Sequence, residues 1–593
     1  MVEWVTTPLQ QTTAATSHET ELPVASTTDQ SIAAVDQAIA DLTAGESRWG
    51  ALSLTERADL FEQVRDLVVA HGAEWVDAAI SIKRLDPGSP LVGEEWMSGP
   101  YAFAGGLGVV AQSLRALAAG DSPLKGATFG ESSGHTTVQA LPAGLNDMLL
   151  LSGFSAQVWL QKGISRDDAI AAAGLAQLDP TVTGGVGAVL GAGNIMSIAP
   201  LDTLYELAAF NRVVALKLNP VTDALLPTFR TVFAPLIEIG AVRILTGGAD
   251  VGKQLVEHPG VAHVHMTGSA VTHDAIVWGT GPEAADRKKA GTPLLSVPVT
   301  SELGGVSPTI VLPGKWSKAD IAFQAAHVAT QRLHNGGYNC VAAQSVIVSS
   351  DWAQREEFLA ALRSAFDTAP ARPAYYPGSD SRVDGAVRTY PDAERLGPNG
   401  GRVLVDGLTA SSDEPLLTTE YFAPVLGVVE LPGTGADFAR AAVDAANDEF
   451  AGTLGINLIA HPTTIAELGS TFDELIADLR YGTIAVNAWT GLGFLTPTAT
   501  WGAFPGHTID DVQSGIGVVH NAWLIDRPER TVIRGPFRPA PRSVLHAEWA
   551  LSPKPPWFVN NKSAATTGRL LARFAGAPSL AKLPAIVASA LRG

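Results

Sequence analysis

From residue 185 onward the chain alternates short apolar runs with helical ones, and no other feature constrains the fold as strongly. "VGAVLGAGN" reads as a buried strand ending in a glycine turn, "IAPLDTLYELAAF" as a helix and "RVVALKLNP" as the next strand. "PLIEIG" closes a helix, "AVRILTGG" is a strand, "DVGKQLVEHPG" a helix and "VAHVHMTGS" a strand. Short apolar runs bounded by glycine are strands covered on both faces. Strands that alternate with helices at this spacing form βαβ units, which require a parallel sheet. A second series begins at "SPTIVLPG" and continues through "QSVIVSS", "APVLGVVEL", "GINLIAH" and "GTIAVNAW". The predicted class is α/β with two such domains.

The polar, glycine-rich stretch "GTGPEAADRKKAGTP" between the two series reads as a loop. Residues 31–83 carry helical periodicity, with Thr55 before Glu56 as a helix start. Residues 130–160 read as extended. Both they and the 520–550 region ("RTVIRG", "RSVLHAEW") are expected to pair across subunits as sheet edges. The Thr/Gln/Ser-rich start reads as a disordered lead-in. A net charge of −19 disfavours nucleic acid and anionic lipid as main partners. No apolar run is long enough to span a membrane. One cysteine in 593 residues forms no internal disulfide and predicts a cytoplasmic protein. The apolar, basic C-terminal stretch reads as a helix packed on the protein's own body, with membrane-surface contact as the alternative.

That cysteine, Cys340, stands in "HNGGYNCVAAQSVIV". A lone buried cysteine is usually a small hydrophobe. Here a glycine-rich turn precedes it, which suits a thiol at the mouth of a cleft. The residues after it read as a helix start or strand whose amides would stabilise a thiolate. Other segments supply what a thiol nucleophile needs. "GAGNIMSIAP" offers Asn194, "SELGGVSP" offers Glu302 and "EYFAPV" offers Glu420 and Phe422. Each also has a structural reading: Asn194 as a helix cap, Glu302 as a surface charge, Lys217 as a strand-end lysine. Their joint order outweighs those readings.

The ordered set resembles the aldehyde dehydrogenase superfamily over roughly residues 31–520. The resemblance implies that Cys340 is the nucleophile, Asn194 the oxyanion donor and Glu302 the general base. It implies that Lys217, Gly248, Gly252, Gly268, Ser269, Glu420 and Phe422 hold NAD or NADP, with no metal. The expected product is a carboxylic acid, formed through a thiohemiacetal and a thioester. It further implies two Rossmann-like α/β domains, one cofactor-binding and one catalytic, plus a β-rich oligomerisation element in a homodimer or homotetramer. The expected boundaries are a lead-in at 1–30, a cofactor domain at 31–299 with the extended 130–160 segment, a catalytic domain at 300–500, and a C-terminal segment at 501–593. A CoA-acylating enzyme and a silent cofactor-binding homologue are the alternatives. Glu302 argues against the first and the full set against the second. A catalytic Cys340 is expected to have a lowered pKa and to alkylate quickly near neutral pH.

The chain also departs from the family pattern. Pro220 stands where an acid often meets the ribose, which leaves NAD or NADP open. His273 replaces a glycine, an insertion carries Asp286 to Lys289, and about 70 C-terminal residues have no counterpart. A Gly191-x-Gly193 pair begins a phosphate-loop fingerprint that fails at Met196. Asp202 and Thr203 suggest a polar or cationic group on the substrate.

Overall fold

A computed structural model describes residues 27–593. The expected lead-in lies outside the described residues up to 26, and the first helix begins at Thr27. Two sheets organise the rest. The smaller has six strands in the order 515–516, 299–303, 261–268, 186–190, 213–217 and 242–245. All pairs are parallel except the short edge strand 515–516. Strand 186–190 leads to 213–217 and 242–245 on one side, and the chain then returns to lay 261–268 on the other. The strand order therefore reverses beside Val186–Leu190, and a crevice opens at the carboxyl ends of the strands there.

The larger sheet runs 129–132, 135–141, 155–160, 528–534, 483–486, 455–459, 309–311, 345–349, 425–431, 402–408 and 394–396. Its seven central strands are parallel. Strand Ser155–Leu160 adds antiparallel to Pro528–Arg534, so the two regions expected to pair across subunits pair with each other inside the chain. "RSVLHAEW" supplies a short helix, Arg542–Leu545, rather than a strand.

The expected loop before the second series contains a helix, Pro282–Ala290. Pro282 supplies a fixed φ in its first turn, and Gly291 ends it at φ 63°, ψ 34°. Two of its three basic residues are tied down: Lys288 pairs with Asp274 at 2.9 Å and Arg287 donates to the Trp278 carbonyl at 3.0 Å. The second N-terminal helix starts at Leu54. Its cap is Ser53, whose hydroxyl accepts from Glu56 N at 3.2 Å while Glu56 Oε2 accepts from Ser53 N at 2.8 Å. The cap therefore lies two residues before Thr55.

The core of the six-stranded half lies between its sheet and the helices Leu54–Ala70 and Ala102–Ala118. Phe61, Val64 and Val68 meet Leu107, Val110 and Leu114 there. The C-terminal helix Ala564–Gly576 packs on the segment around Gly93. A side chain at Gly93 would strike the Ala564 backbone, so the two segments approach as closely as glycine permits. Among the described residues, no helix is long and apolar enough to cross a membrane.

Candidate active site

The crevice between the sheets gathers residues from four segments. Glu302 lies in the strand Val299–Leu303, near its carboxyl end, and is 1% exposed. Cys340 follows a turn in which Asn335, Gly336 and Gly337 have φ of 53°, 70° and 81°. This left-handed run explains "NGG", because asparagine and glycine tolerate that region best. Val341 to Gln344 are irregular, and the strand begins only at Ser345. No helix therefore starts at the thiol.

Cys340 Sγ stands 3.3 Å from Glu302 Oε1. Asn194 is buried, and its Nδ2 donates to the Tyr338 carbonyl at 2.9 Å. One N–H of that amide is thereby used, leaving the second for a ligand. Asn194 does not cap the next helix, which begins at Ile198 after Ser197. Its carbonyl accepts instead from Asn335 Nδ2 and from the Tyr375 hydroxyl, both at 3.1 Å. The strand-end turn and the cysteine turn are thus pinned to each other.

The electrostatics reverse one expectation. Burial pushes the Cys340 thiol well above its usual value, and the Glu302 and Glu420 carboxyls add to the shift. Apart from its own backbone, every neighbour acting on the thiol raises it. The predicted fast alkylation at neutral pH thus does not follow from this geometry. Glu302 is also raised. Burial is the chief cause and Asp202 adds to it, while His520 and the neighbouring Trp501 indole oppose it. Glu420 is pushed up to about 8 by burial, with Arg332 and Arg382 pulling back. It lies against Gly304, where any side chain would collide with its carboxyl.

Of the other predicted residues, Lys217, Gly248, Gly268 and Ser269 lie at or just past the carboxyl ends of parallel strands, whereas Phe422 precedes the strand Val425–Leu431. Lys217 ends Val213–Lys217 and is 8% exposed; burial lowers its pKa, and Asp223 and Asp250 oppose that. Gly248 precedes the helix Ala249–Glu257, and Gly252 is buried within it with room for a Cβ, so no close approach requires glycine there. Gly268 and Ser269 are exposed, and the Ser269 hydroxyl accepts from Thr272 N at 3.2 Å at the start of the helix Ala270–Trp278. Phe422 adopts φ 44° and packs on Tyr376 at 5.0 Å between ring centroids. Gly191 lets its strand meet the following helix, since a Cβ there would lie 2.6 Å from that of Ala199. His273 is buried on the inner face of its helix, away from any exposed ligand surface.

An apolar pocket reaches Cys340. Met97, Ile195, Ile198, Trp489, Phe494 and Trp501 make it apolar, and Glu94 and His334 also line it. Asp202 is not among its lining residues. It is 1% exposed, and its Oδ2 accepts from Thr267 at 2.9 Å. A substrate cation at Asp202 is therefore excluded by burial. Thr203 is spent on the Ala199 carbonyl at 2.9 Å.

Sequence reasoning missed Glu94, Asn335, Trp501, His265 and His520. The alternation His263, His265, Thr267 in "VAHVHMTG" was the legible signal, because it puts three polar side chains on one face of an otherwise apolar strand.

The aldehyde dehydrogenase family model matches residues 194–381, a span that holds Asn194, Lys217, Glu302 and Cys340. The 3,6-anhydro-alpha-L-galactose dehydrogenase of Streptomyces coelicolor is 27% identical over 329 residues, 55% of this chain and 53% of that protein. The N-succinylglutamate 5-semialdehyde dehydrogenase of Sphingopyxis alaskensis is 27% identical over 269 residues, 42% of this chain and 49% of that one. The chain thus spans about half the length of the curated relatives it matches. Among solved structures, gamma-glutamyl-gamma-aminobutyraldehyde dehydrogenase from Burkholderia cenocepacia shares the fold at TM-score 0.55 and 20% identity, covering 84% of this chain and 88% of that one. Aldehyde dehydrogenase C from Pseudomonas syringae, solved with NAD+ and octanal, does so at 0.57 and 18%, covering 85% and 88%. The chain is therefore similar in its central part to aldehyde dehydrogenases, and it shares their fold.

Proposed function

We propose that the protein oxidises an aldehyde to a carboxylic acid with NAD or NADP. The observation that carries this reading is the 3.3 Å contact between Cys340 Sγ and Glu302 Oε1, with Asn194 Nδ2 held on the carbonyl of Tyr338, two residues before the thiol. Glu302 takes the thiol proton, which an unassisted thiol of raised pKa would keep. The sulfur attacks the carbonyl carbon, and the oxygen gains charge within reach of the free Asn194 N–H. A bound nicotinamide would supply the acceptor for the hydride that the adduct must lose to become a thioester. Glu302, once it has released the thiol's proton to solvent, takes a proton from water as that water attacks the thioester, and passes it to the departing sulfur, freeing the acid and the thiol.

The residues present fit a dinucleotide. The start of the helix Ala270–Trp278 is exposed beside the sheet's switch point and suits a pyrophosphate. Lys217 offers a cation at the neighbouring strand end, and Glu420 packs against Gly304, two residues after Glu302. The apolar cavity supports aromatic or long aliphatic aldehydes over charged ones. Strand Phe129–Ser132, an edge of the larger sheet, is where a homo-oligomer would extend it.

The test follows reduced nicotinamide absorbance with both cofactors and a panel of aldehydes, beside Cys340→Ala. The expected outcome is turnover lost in the variant and apolar aldehydes favoured over charged ones by at least about tenfold in kcat/KM. Equal rates in the variant, or silence with every aldehyde and both cofactors, would refute the proposal.

A further inference from the structure

Large apolar side chains left in solvent are unevenly placed on this molecule. Of the fourteen that are exposed among the described residues, nine fall within 145–149 and 544–591. Scattered singly they would need no account, but a group of them marks a contact surface. None of them lines the pocket at Cys340.

Six of the nine gather at one apolar groove. Leu149, Leu551 and Leu591 line it, with Trp557 and Ile586 buried beneath them. Leu145, Met148 and Leu149 are spaced i, i+3 and i+4 in the helix Leu145–Leu150 and so share one face of it. Trp549 precedes Ala550, another lining residue. Gly153 packs on the backbone either side of that tryptophan, since a Cβ there would lie 2.7 Å from the Glu548 carbonyl oxygen and 2.9 Å from Ala550 N. The six side chains are 42–62% exposed.

The groove is bordered by cations. Residues 536–593 hold eight of the chain's 40 Lys and Arg but one of its 59 Asp and Glu, so a chain of net charge −19 carries a basic region here. Glu548, that one acid, pairs with Arg538, and Arg542 pairs with Asp320. Lys554, Lys562 and Arg592 enter no ion pair among the described residues. Lys554 stands between the lining residues Ser552 and Pro555, and Arg592 follows Leu591. A Cβ at Gly593 would lie 3.0 Å from the Lys554 carbonyl oxygen and would strike the Asn561 amide, so the backbone brings all three cations to one edge. Asp147, on the exposed helix, is spent on Ala143 N at 2.9 Å.

We propose that this face docks on an anionic lipid bilayer. The leucines, Met148 and Trp549 enter the headgroup layer, and Lys554, Lys562 and Arg592 meet the lipid phosphates. Tryptophan suits that depth, because its ring is apolar and its N–H can stay wet. The acidic remainder of the chain does not prevent the contact. Salt screens its field over about 10 Å, so the charges at the contact decide. Charge also selects the occupant. A twofold contact between copies would set one cation-bordered patch against another, with no acid to pair them. A bilayer of acidic lipid supplies the missing anions. The inference does not depend on the reaction at Cys340.

The test floats the full-length protein with vesicles of phosphatidylcholine, and with vesicles that also contain phosphatidylglycerol, at low and high salt. One variant combines Lys554→Gln, Lys562→Gln and Arg592→Gln; another combines Trp549→Gln and Leu551→Gln. Melting curves check that both are folded, and hydrogen exchange on the parent locates the contact without any substitution. The expected result is binding to the anionic vesicles only, lost at high salt and weakened at least about tenfold in each variant. Exchange should slow within 145–154 and 549–562 when those vesicles are added. Absence of binding at low salt, binding that survives either variant unchanged, or protection confined to other segments overturns the proposal. A dimer seen by light scattering without vesicles, and dissolved by both variants, would overturn it in favour of a contact between copies of the chain.

Discussion

Two buried charge clusters flank Cys340, and they are built from different cations. Beneath the cysteine turn, Lys83 Nζ lies 2.8 Å from Glu95 Oε2, with both side chains wholly buried. Arg372 pairs with Glu94, and Glu94 Oε2 accepts from Asn335 N at 3.0 Å. Asn335 Oδ1 accepts from Lys83 at 3.0 Å and from Arg372 at 3.1 Å, while its Nδ2 holds the carbonyls of Tyr338 and Asn194. This cluster relies on lysine and arginine. The cluster around Asp202 relies on the imidazoles of His265 and His520, 3.5 Å from its two carboxyl oxygens. The two clusters also stand in different places. The first cluster fixes where Cys340 and Asn194 stand. The second lies on the sheet face that carries Glu302. Buried ion pairs are a poor source of net stability, but breaking one leaves a charge stranded.

The largest expected effect comes from breaking the first cluster. Lys83→Met takes away the nearest cation from the buried Glu95, leaving only Arg372 at 3.8 Å, and should destabilise the protein by about 3–5 kcal/mol. Denaturant unfolding measures it. A loss below about 1 kcal/mol would mean that the cluster relaxes or hydrates, and the contrast with the histidine cluster would fail.

Asp202→Asn should cost less, about 1.5–3 kcal/mol, and only in part of the pH range. His265 has a raised pKa when folded, so its contribution is complete below its ordinary value of 6.5 and disappears as pH rises through the folded value. Asp202 has a lowered pKa, so its contribution is present above its ordinary 3.8 and is lost as pH falls through the folded value. The variant should therefore melt well below the parent between those two values, with the gap narrowing in alkali. A gap independent of pH would show that Asp202 acts as a hydrogen-bond acceptor alone.

The contrast also explains what the sequence revealed. Asn194, Glu302 and Cys340 were legible because each sits in a short motif at a strand end or glycine turn, where local chemistry is visible. The helix Pro282–Ala290 carried its own signals in Pro282 and Gly291, yet its charge and glycine content read as a loop. The pairing of strand 155–160 with 528–534 was out of reach, since no local pattern names a partner so far along the chain. The same holds for Lys83, whose partner Asn335 lies 252 residues away. Asp202 could be read only as an acid on a helix, because the histidines that neutralise it come from two other segments.

The smallest effect tests the boundary between the clusters at the thiol itself. Cys340 is the chain's only cysteine, so the rate of iodoacetamide adduct formation reports one site. Burial is the leading cause of its raised pKa, and the Glu302 carboxylate comes second. The parent should alkylate slowly at neutral pH and faster in alkali, because only the thiolate reacts. Glu302→Gln removes the nearest anion but none of the burial. Its profile should move toward lower pH without reaching that of an exposed thiol. Mass spectrometry of the alkylated peptide across pH measures both curves. A profile in Glu302→Gln that moves toward higher pH would mean that Glu302 assists the thiol as a base more than it repels the thiolate. The burial and charge around Cys340 would then need to be weighed the other way.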